Sequence, residues 1–291
     1  MYSSRGGKAR EGEAQPPGVP AGSTGIFEAV ISVERGFVVF VTASALFMAL
    51  VLLLDGDGLP RQAALGVATA GFVWLFGRRL TVAPRQIIAA MVVGSLGEVV
   101  LSLGWGLYSY QHALIPLYVP PGHGLFYLLA AATATQKGMQ KHATRITRTV
   151  LISGTLMALG SVVFFNDVWG LLWWCGALLL IGRSQNQLLL SACFVYTLLL
   201  EWTGTAIGNW RWAAEVPFLG LPSANPPAGV GILYVLLDLV VVAITGLTVT
   251  VGRREPAQEP VPASVGHAGT SLDEFNDATT VTPPLSSSYS G

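Results

Sequence analysis

The chain has 291 residues, of which 52% are hydrophobic and only 11% are charged, and its mean hydropathy is +0.58. Soluble domains do not combine so many apolar residues with so few charged ones, so the composition predicts an integral membrane protein. The formal net charge is zero, and the sequence has no basic patch of the kind that binds nucleic acid.

Two polar segments flank a long apolar region. Residues 1–30 are rich in Gly, Pro, Ala and charged residues, and residues 252–291 are rich in Pro, Ser, Thr and acids. Neither segment can bury enough apolar surface to fold, so both are predicted to be disordered tails. Between them lie eight nearly uncharged runs, each predicted to cross the ~30 Å hydrocarbon core as a helix. The runs are residues 36–54, 62–77, 86–108, 117–135, 149–166, 168–182, 187–208 and 230–251.

The basic residues predict how this all-α, polytopic bundle is oriented in the cell membrane. With eight spans, Arg61 and Arg211 lie on one side, and the other fourteen of the sixteen Lys and Arg residues lie on the opposite side. Cytoplasmic loops collect Lys and Arg, so both termini and the basic loop at residues 136–148 are predicted to be cytoplasmic. The Pro-rich loops near residues 109–124 and 209–229 then face outward.

Two stretches of the chain resemble each other and suggest an internal repeat. The sequence PPGHGLFY at residues 120–127 is echoed by PPAGVGILY at residues 226–234, and an acid, small residues and an aromatic-x-aromatic pattern precede both. The echo predicts two tandem four-helix halves, residues 31–135 and 149–251. An even number of spans in each half gives both copies the same orientation in the membrane.

Three acidic residues, Glu98, Glu201 and Asp238, lie inside the apolar runs and are the candidate catalytic residues. An ionised side chain at the centre of a membrane helix costs about 2.5–3.5 kcal/mol on insertion scales, so such acids are protonated, paired or next to a wet cavity. At ~1.5 Å per residue, all three lie roughly 11–15 Å from the outer ends of their helices. We expect them to line one cavity; a purely structural role, with each carboxyl bonded to a neighbouring hydroxyl, is the alternative.

Aromatic and polar residues near the outer ends of these helices are candidates for substrate binding. They recur in both halves, as WGLYSY and GNWRW, and Pro- and Gly-rich loops follow them. An aromatic belt at the membrane interface is the alternative interpretation. No histidine box or cofactor motif is present, so neither a metal nor a cofactor is predicted. The candidates are Trp105, Tyr108, Tyr110, His123, Trp210, Trp212, Asn225 and Tyr234.

The stretch EWTGTAIGNWRWAAEVPFLGLP, residues 201–222, resembles a pattern found in membrane proteins of carotenoid biosynthesis that include carotenoid hydratases. The shared features are E-x-x-G-T-x-x-G, an aromatic-x-aromatic pair and a turn containing proline. The resemblance implies a polytopic enzyme that adds water across a C=C bond of a long polyene, with Glu201 at the acidic position of the family. The sequence departs from the pattern at SANPPAGVG, which follows the turn.

The residues themselves favour an enzyme that performs acid–base chemistry on an isoprenoid-like lipid. Hydration, cyclisation or isomerisation of such a lipid requires a protonated carboxylic acid, a second carboxylate and aromatic faces near the developing cation. A small transporter that binds a proton or cation on the same acids is an alternative. A membrane scaffold protein without a site is another. The expected partners are the lipid bilayer and a lipid substrate.

Overall fold

The computed structural model describes residues 22–80, 82–112 and 114–247, with side chains from residue 35 onward. The described part is mostly helical, as predicted. Its helices are α1 Gly22–Leu53, α2 Leu59–Gly77, α3 Pro84–Glu98, α4 Val119–Thr135, α5 Lys137–Lys141, α6 Ala143–Phe165, α7 Val168–Arg183, α8 Gln187–Ile207 and α9 Ile232–Thr245. A π-helical segment, Val99–Gly104, extends α3, and the short strands are β1 Tyr108–Tyr110, β2 Trp210–Trp212, β3 Glu215–Val216 and β4 Leu221–Pro222.

Each of the eight apolar runs overlaps one helix, and the short helix α5 lies in the predicted basic loop. The last run, predicted as a helix over residues 230–251, is helical only from Ile232 to Thr245 and stops at Gly246; its end lies outside the described residues. Four helical segments of the described chain are long and apolar enough to cross a membrane, which supports a membrane protein. These four are Arg35–Leu53, Pro84–Gly104, Ala143–Phe165 and Gln187–Ile207. Helices α7 and α9 are apolar but shorter.

The predicted boundaries differ from the structure at several places. Helix α1 already begins at Gly22, so residues 22–30 of the predicted N-terminal tail are helical; the rest of that tail and the C-terminal tail lie outside the described residues. The third run does not continue as a helix to residue 108, because the chain leaves the π-helical segment after Gly104 and turns at Gly106, whose φ is +77°. A left-handed glycine costs little there because it has no Cβ.

Four central helices form a ring in which each helix packs on two others. Helix α3 packs on α4 and α9, and α8 packs on the same two helices. Helix α4 is buried along almost its whole length, with α1 and α2 against it, while α6 and α7 pack on α8. The outer helices expose large apolar side chains, such as Leu46 on α1 and Phe164 on α6. A surface of this kind is suited to contact with the hydrocarbon chains of a membrane.

Strands β1 and β2 pair in antiparallel fashion and join the two halves of the chain. Tyr108 lies opposite Trp212, and Tyr110 lies opposite Trp210. Because side chains alternate along a strand, these four aromatic rings share one face of the ribbon, and all four are buried. The ribbon therefore places two aromatic residues from each half above the helix ring.

Candidate functional site

Glu98, the last α-helical residue of α3, lies beneath strand β1. Its Oε2 atom accepts hydrogen bonds from the Tyr108 hydroxyl at 2.6 Å and from the Tyr110 hydroxyl at 2.7 Å. Burial and the neighbouring Glu98 carboxylate raise the pKa of both phenols well above the usual value. Tyr108 and Tyr110 therefore remain neutral hydrogen-bond donors to Glu98.

His123 on α4 connects Glu98 to Tyr234 on α9. Its Nε2 atom lies 3.4 Å from Glu98 Oε1, and the geometry is not that of a hydrogen bond. Its Nδ1 atom shares a 2.7 Å hydrogen bond with the Tyr234 hydroxyl. The imidazole lies against the backbone of α3 at Gly94, where an added Cβ would overlap the ring. Only glycine leaves room for His123 at this position.

Glu201 on α8 lies beneath strand β2 in a corresponding arrangement. Its Oε2 atom accepts hydrogen bonds from Trp210 Nε1 at 2.8 Å and from Trp212 Nε1 at 2.9 Å. Within the described part of the chain, Glu201 forms no ion pair. The indole of Trp210 crosses α8 at Gly204, where an added Cβ would overlap the indole. Only glycine at position 204 therefore leaves room for the indole of Trp210 to reach the carboxylate of Glu201.

The two glutamates line one small chamber inside the helix ring. This chamber has a volume of about 50 Å³. Half of the residues in its wall carry aromatic rings. Trp212, which was predicted to bind substrate, does not line the chamber but donates to Glu201 from behind the wall. The predicted residues that line the chamber are Glu98, Glu201, Tyr108, Tyr110, His123, Trp210 and Tyr234, and Tyr118 joins them.

The expectation that three acids share one cavity is wrong for Asp238. This residue lies one helical turn beyond Tyr234 on α9 and is not among the residues that line the chamber. It is only 3% exposed, and its Oδ1 atom has no hydrogen-bond partner in the described chain. Its carboxyl lies within electrostatic reach of Tyr127 and Cys193. Residues four apart lie on the same face of a helix, so Asp238 is on the same side of α9 as Tyr234 but about one turn, ~5.4 Å, farther along the helix, beyond the wall of the chamber.

Two predicted substrate-binding residues also lie elsewhere. The indole of Trp105 donates to the carbonyl of Pro217 and so holds the loop between β3 and β4. The side-chain oxygen of Asn225 accepts from the backbone N–H of Trp212. Both residues therefore support the outer loops and do not line the chamber.

Two aspartates that the sequence interpretation did not single out anchor the outer loops. Asp167, between α6 and α7, is completely buried. Its Oδ1 accepts from the N–H groups of Gly170 and Ala224, and its Oδ2 accepts from Ala228 N–H and the Ser161 hydroxyl. Asp167 could have been recognised from the sequence, because an Asp that precedes a helix and accepts from the N–H group three residues later is a typical N-cap.

Asp55 occupies the corresponding turn between α1 and α2. Its Oδ2 accepts a 2.8 Å hydrogen bond from the hydroxyl of Tyr118, which lines the chamber, and a longer one from Asn209. Its Oδ1 accepts from the amide of Gln62. Asp55 therefore connects the chamber wall to loops of both halves.

Within the described residues, no group of three or more His, Cys, Asp and Glu side chains is arranged to hold a metal ion. The side chains around the chamber can instead donate hydrogen bonds, hold a proton and present aromatic faces. Comparisons of the chain with protein-family models, with curated proteins and with solved structures gave no significant match.

Proposed function

We propose that this protein is an integral membrane enzyme in which Glu201 and Glu98 act as acid and base on an isoprenoid-like lipid. One observation carries the proposal: two buried carboxyls line the same aromatic chamber but have different hydrogen-bonding partners. Two carboxyls in a dry site do not both ionise readily, and different surroundings assign them different roles.

The partners of each carboxyl indicate its role. Glu98 accepts from two phenols, which stabilise an ionised carboxylate, and it lies beside His123, which would add to this stabilisation when its imidazole is protonated. Glu201 accepts only from two indoles, without an adjacent cation among the described residues. We therefore assign Glu98 as the base and Glu201 as the proton donor.

The proposed chemistry begins when Glu201 transfers its proton to one carbon of a C=C bond, which leaves a cation on the other carbon. The faces of Tyr108, Trp210 and Tyr234 can stabilise that cation through their π electrons. Addition of water, with loss of one proton of that water to Glu98, gives hydration. Attack by a second C=C bond moves the cation to a new carbon, and loss of a neighbouring proton to Glu98 then gives cyclisation; loss of a different proton to Glu98 without such an attack gives isomerisation. In each outcome Glu98 finally returns the proton to Glu201, directly or through water.

The membrane arrangement that fits this proposal has eight spans in two tandem halves, with both termini in the cytoplasm. It is supported by the overlap of each apolar run with a helix and by the uneven distribution of basic residues. Reporter fusions after residues 82, 140 and 255 should then be cytoplasmic. Fusions near residues 115 and 220 should be external. An external C-terminus would contradict the count of eight.

Conversion of lipid by the purified protein tests the catalytic proposal. Lipids that copurify are identified by mass spectrometry, and isoprenoids are then supplied in detergent micelles or vesicles. Glu201→Gln keeps the size of the side chain and accepts the same indole bonds, but it has no proton to transfer. Turnover should fall by ~10²–10⁴-fold, as is typical for loss of a general acid.

Asp238→Asn provides the matched control, because Asp238 is another buried intramembrane acid but does not line the chamber. It should retain turnover that Glu201→Gln loses. Full activity of Glu201→Gln would exclude Glu201 as the acid. Proton uptake by vesicles without any lipid conversion would instead favour a proton carrier.

A further inference from the structure

The acid chamber adjoins an apolar cavity on one side of the helix ring. This cavity, of about 260 Å³, lies between α1, α4 and α8. It shares a wall with the chamber, because both are lined by Met48, Leu52, Phe126 and Leu200. At the outer end of the cavity, Leu199 is 51% exposed on the surface that faces lipid.

A second cavity, of about 170 Å³, leaves the chamber between α3, α8 and α9. It shares Glu98, Glu201 and Tyr234 with the chamber. Its other end is bounded by Leu236 and Val240, which are 42% and 40% exposed. Both glutamates therefore stand where the chamber meets this second cavity.

The two cavities leave the ring on opposite sides. The first borders the contact between α4 and α8, and the second borders the contact between α3 and α9. Among the residues that the structure describes, neither is lined by a Lys or Arg that would bind an anionic headgroup. The two cavities and the chamber between them therefore form a row across the bundle that is apolar at both ends and acidic in the middle.

The size of the central chamber limits what the row can hold. At about 50 Å³, the chamber is much smaller than the cavities of about 260 and 170 Å³ on either side of it. A narrow middle between two wider ends favours a thin hydrocarbon chain between the carboxyls over a ring or a polar headgroup. The larger cavities on both sides can hold the continuation of such a chain.

We propose that the substrate is a linear, unsaturated lipid chain that lies across the helix ring through both cavities, with an internal segment between Glu98 and Glu201. This inference rests on the proposed function and specifies the shape of its substrate. The reacting C=C bond is then inside the chain, and both chain ends extend toward the bilayer.

Blocking each end of the row separately tests this inference. Ala49→Trp on α1 fills the outer end of the first cavity, and Val240→Trp on α9 fills that of the second. The probe is methyl parinarate, a linear conjugated polyene that fluoresces in apolar sites, and methyl sorbate is the short comparison. Each methylene group excluded from an apolar site removes binding free energy, so each variant should weaken methyl parinarate binding by about tenfold or more.

Methyl sorbate binding should remain unchanged in both variants, because a short chain needs neither outer cavity. Val163→Trp is the control, since Val163 is 76% exposed on α6 and lines neither cavity. If methyl parinarate binding weakens in only one variant, the chain lies in a closed pocket with one end at the carboxyls, and the inference is wrong. No loss in either variant, or no binding by the unmodified protein, would also overturn the inference. The binding measurement does not depend on turnover. If the protein binds methyl parinarate as expected but converts no lipid, the catalytic proposal is wrong and the inference about the shape of the bound chain remains.

Discussion

The carboxylates of the two halves share a backbone arrangement but differ in the chemistry around them. Glu98 and Glu201 each lie below a short strand and accept hydrogen bonds from two aromatic residues that alternate along it. The donors are phenols in the first half and indoles in the second, and within the described chain only Glu98 has a histidine beside it. Similar geometry with different donors is compatible with the different roles that we propose for the two glutamates.

The loop aspartates differ in a similar way. Asp167 is fully buried and binds three backbone N–H groups, whereas Asp55 is partly exposed and binds mainly side chains. Side-chain partners can rotate and adapt to a changed residue, but backbone N–H groups can only donate. Asp167 is therefore the anchor that tolerates substitution less.

The largest effect on stability is expected from Asp167→Asn. The new amide group would face either the Ala228 N–H or the N–H groups of Gly170 and Ala224, and donors cannot bond to donors. A lost charge-assisted hydrogen bond and an unpaired buried donor should lower the free energy of unfolding by ~3 kcal/mol. Asp55→Asn should cost clearly less, because Tyr118 can accept from the new amide. Thermal unfolding followed by circular dichroism measures both; equal losses would contradict the difference in anchoring.

Alanine at the two close-contact glycines should reduce turnover next. Gly204→Ala displaces Trp210 from Glu201, and Gly94→Ala displaces His123 from Glu98, because each new Cβ would overlap a ring. Misplacement of a catalytic group by ~1 Å can cost about 10²-fold in rate. Gly71→Ala is the control, since a Cβ added there would meet no atom of the described chain within 4 Å. Normal turnover of Gly204→Ala would mean that Trp210 does not position the acid.

Removal of single donors should show whether the two carboxyls differ in charge. Tyr110→Phe should lower the free energy of unfolding by ~1.5–3 kcal/mol if Glu98 is ionised. Trp210→Phe, which removes one indole hydrogen bond to Glu201, should lower it by only ~0.5–1.5 kcal/mol if Glu201 is neutral. Tyr127→Phe and Trp169→Phe correct for the lost ring atoms, because the polar atoms of Tyr127 and Trp169 have no partner in the described chain. Equal corrected losses would remove the assignment of different roles.

The smallest expected effect concerns alkaline pH. Burial and Glu98 raise the pKa of Tyr110 in the folded protein. As the pH rises past about 10, the Tyr110 hydroxyl therefore ionises in the unfolded chain before it ionises in the folded protein. Folding stability should be fully present below that pH and then fall by ~1.4 kcal/mol per pH unit for this residue. The melting temperature of Tyr110→Phe should consequently fall less steeply above pH 10 than that of the unmodified protein. Parallel decreases would show that Tyr110 ionises normally.

Much of the helical framework follows from local sequence. Every predicted apolar run overlaps a helix, and four helical segments of the described chain are long and apolar enough to cross a membrane. In hydrocarbon a helix satisfies its backbone hydrogen bonds internally. The pairing of an acid with an aromatic-x-aromatic pattern is also local, since Glu98 and Tyr108 are only ten residues apart. Residues that are this close in sequence and meet across one turn can be recognised from their spacing.

The sequence by itself therefore determined the membrane class, the positions of the helices and the two acids with their aromatic neighbours. The tertiary structure alone decided that β1 pairs with β2, that Glu98 and Glu201 share a chamber and that Asp238 does not. It also decided that Asp167 holds Ala228 from sixty-one residues away. The physical reason is that helix rotation and loop contacts depend on how distant side chains pack together, and spacing along the chain carries no information about that packing.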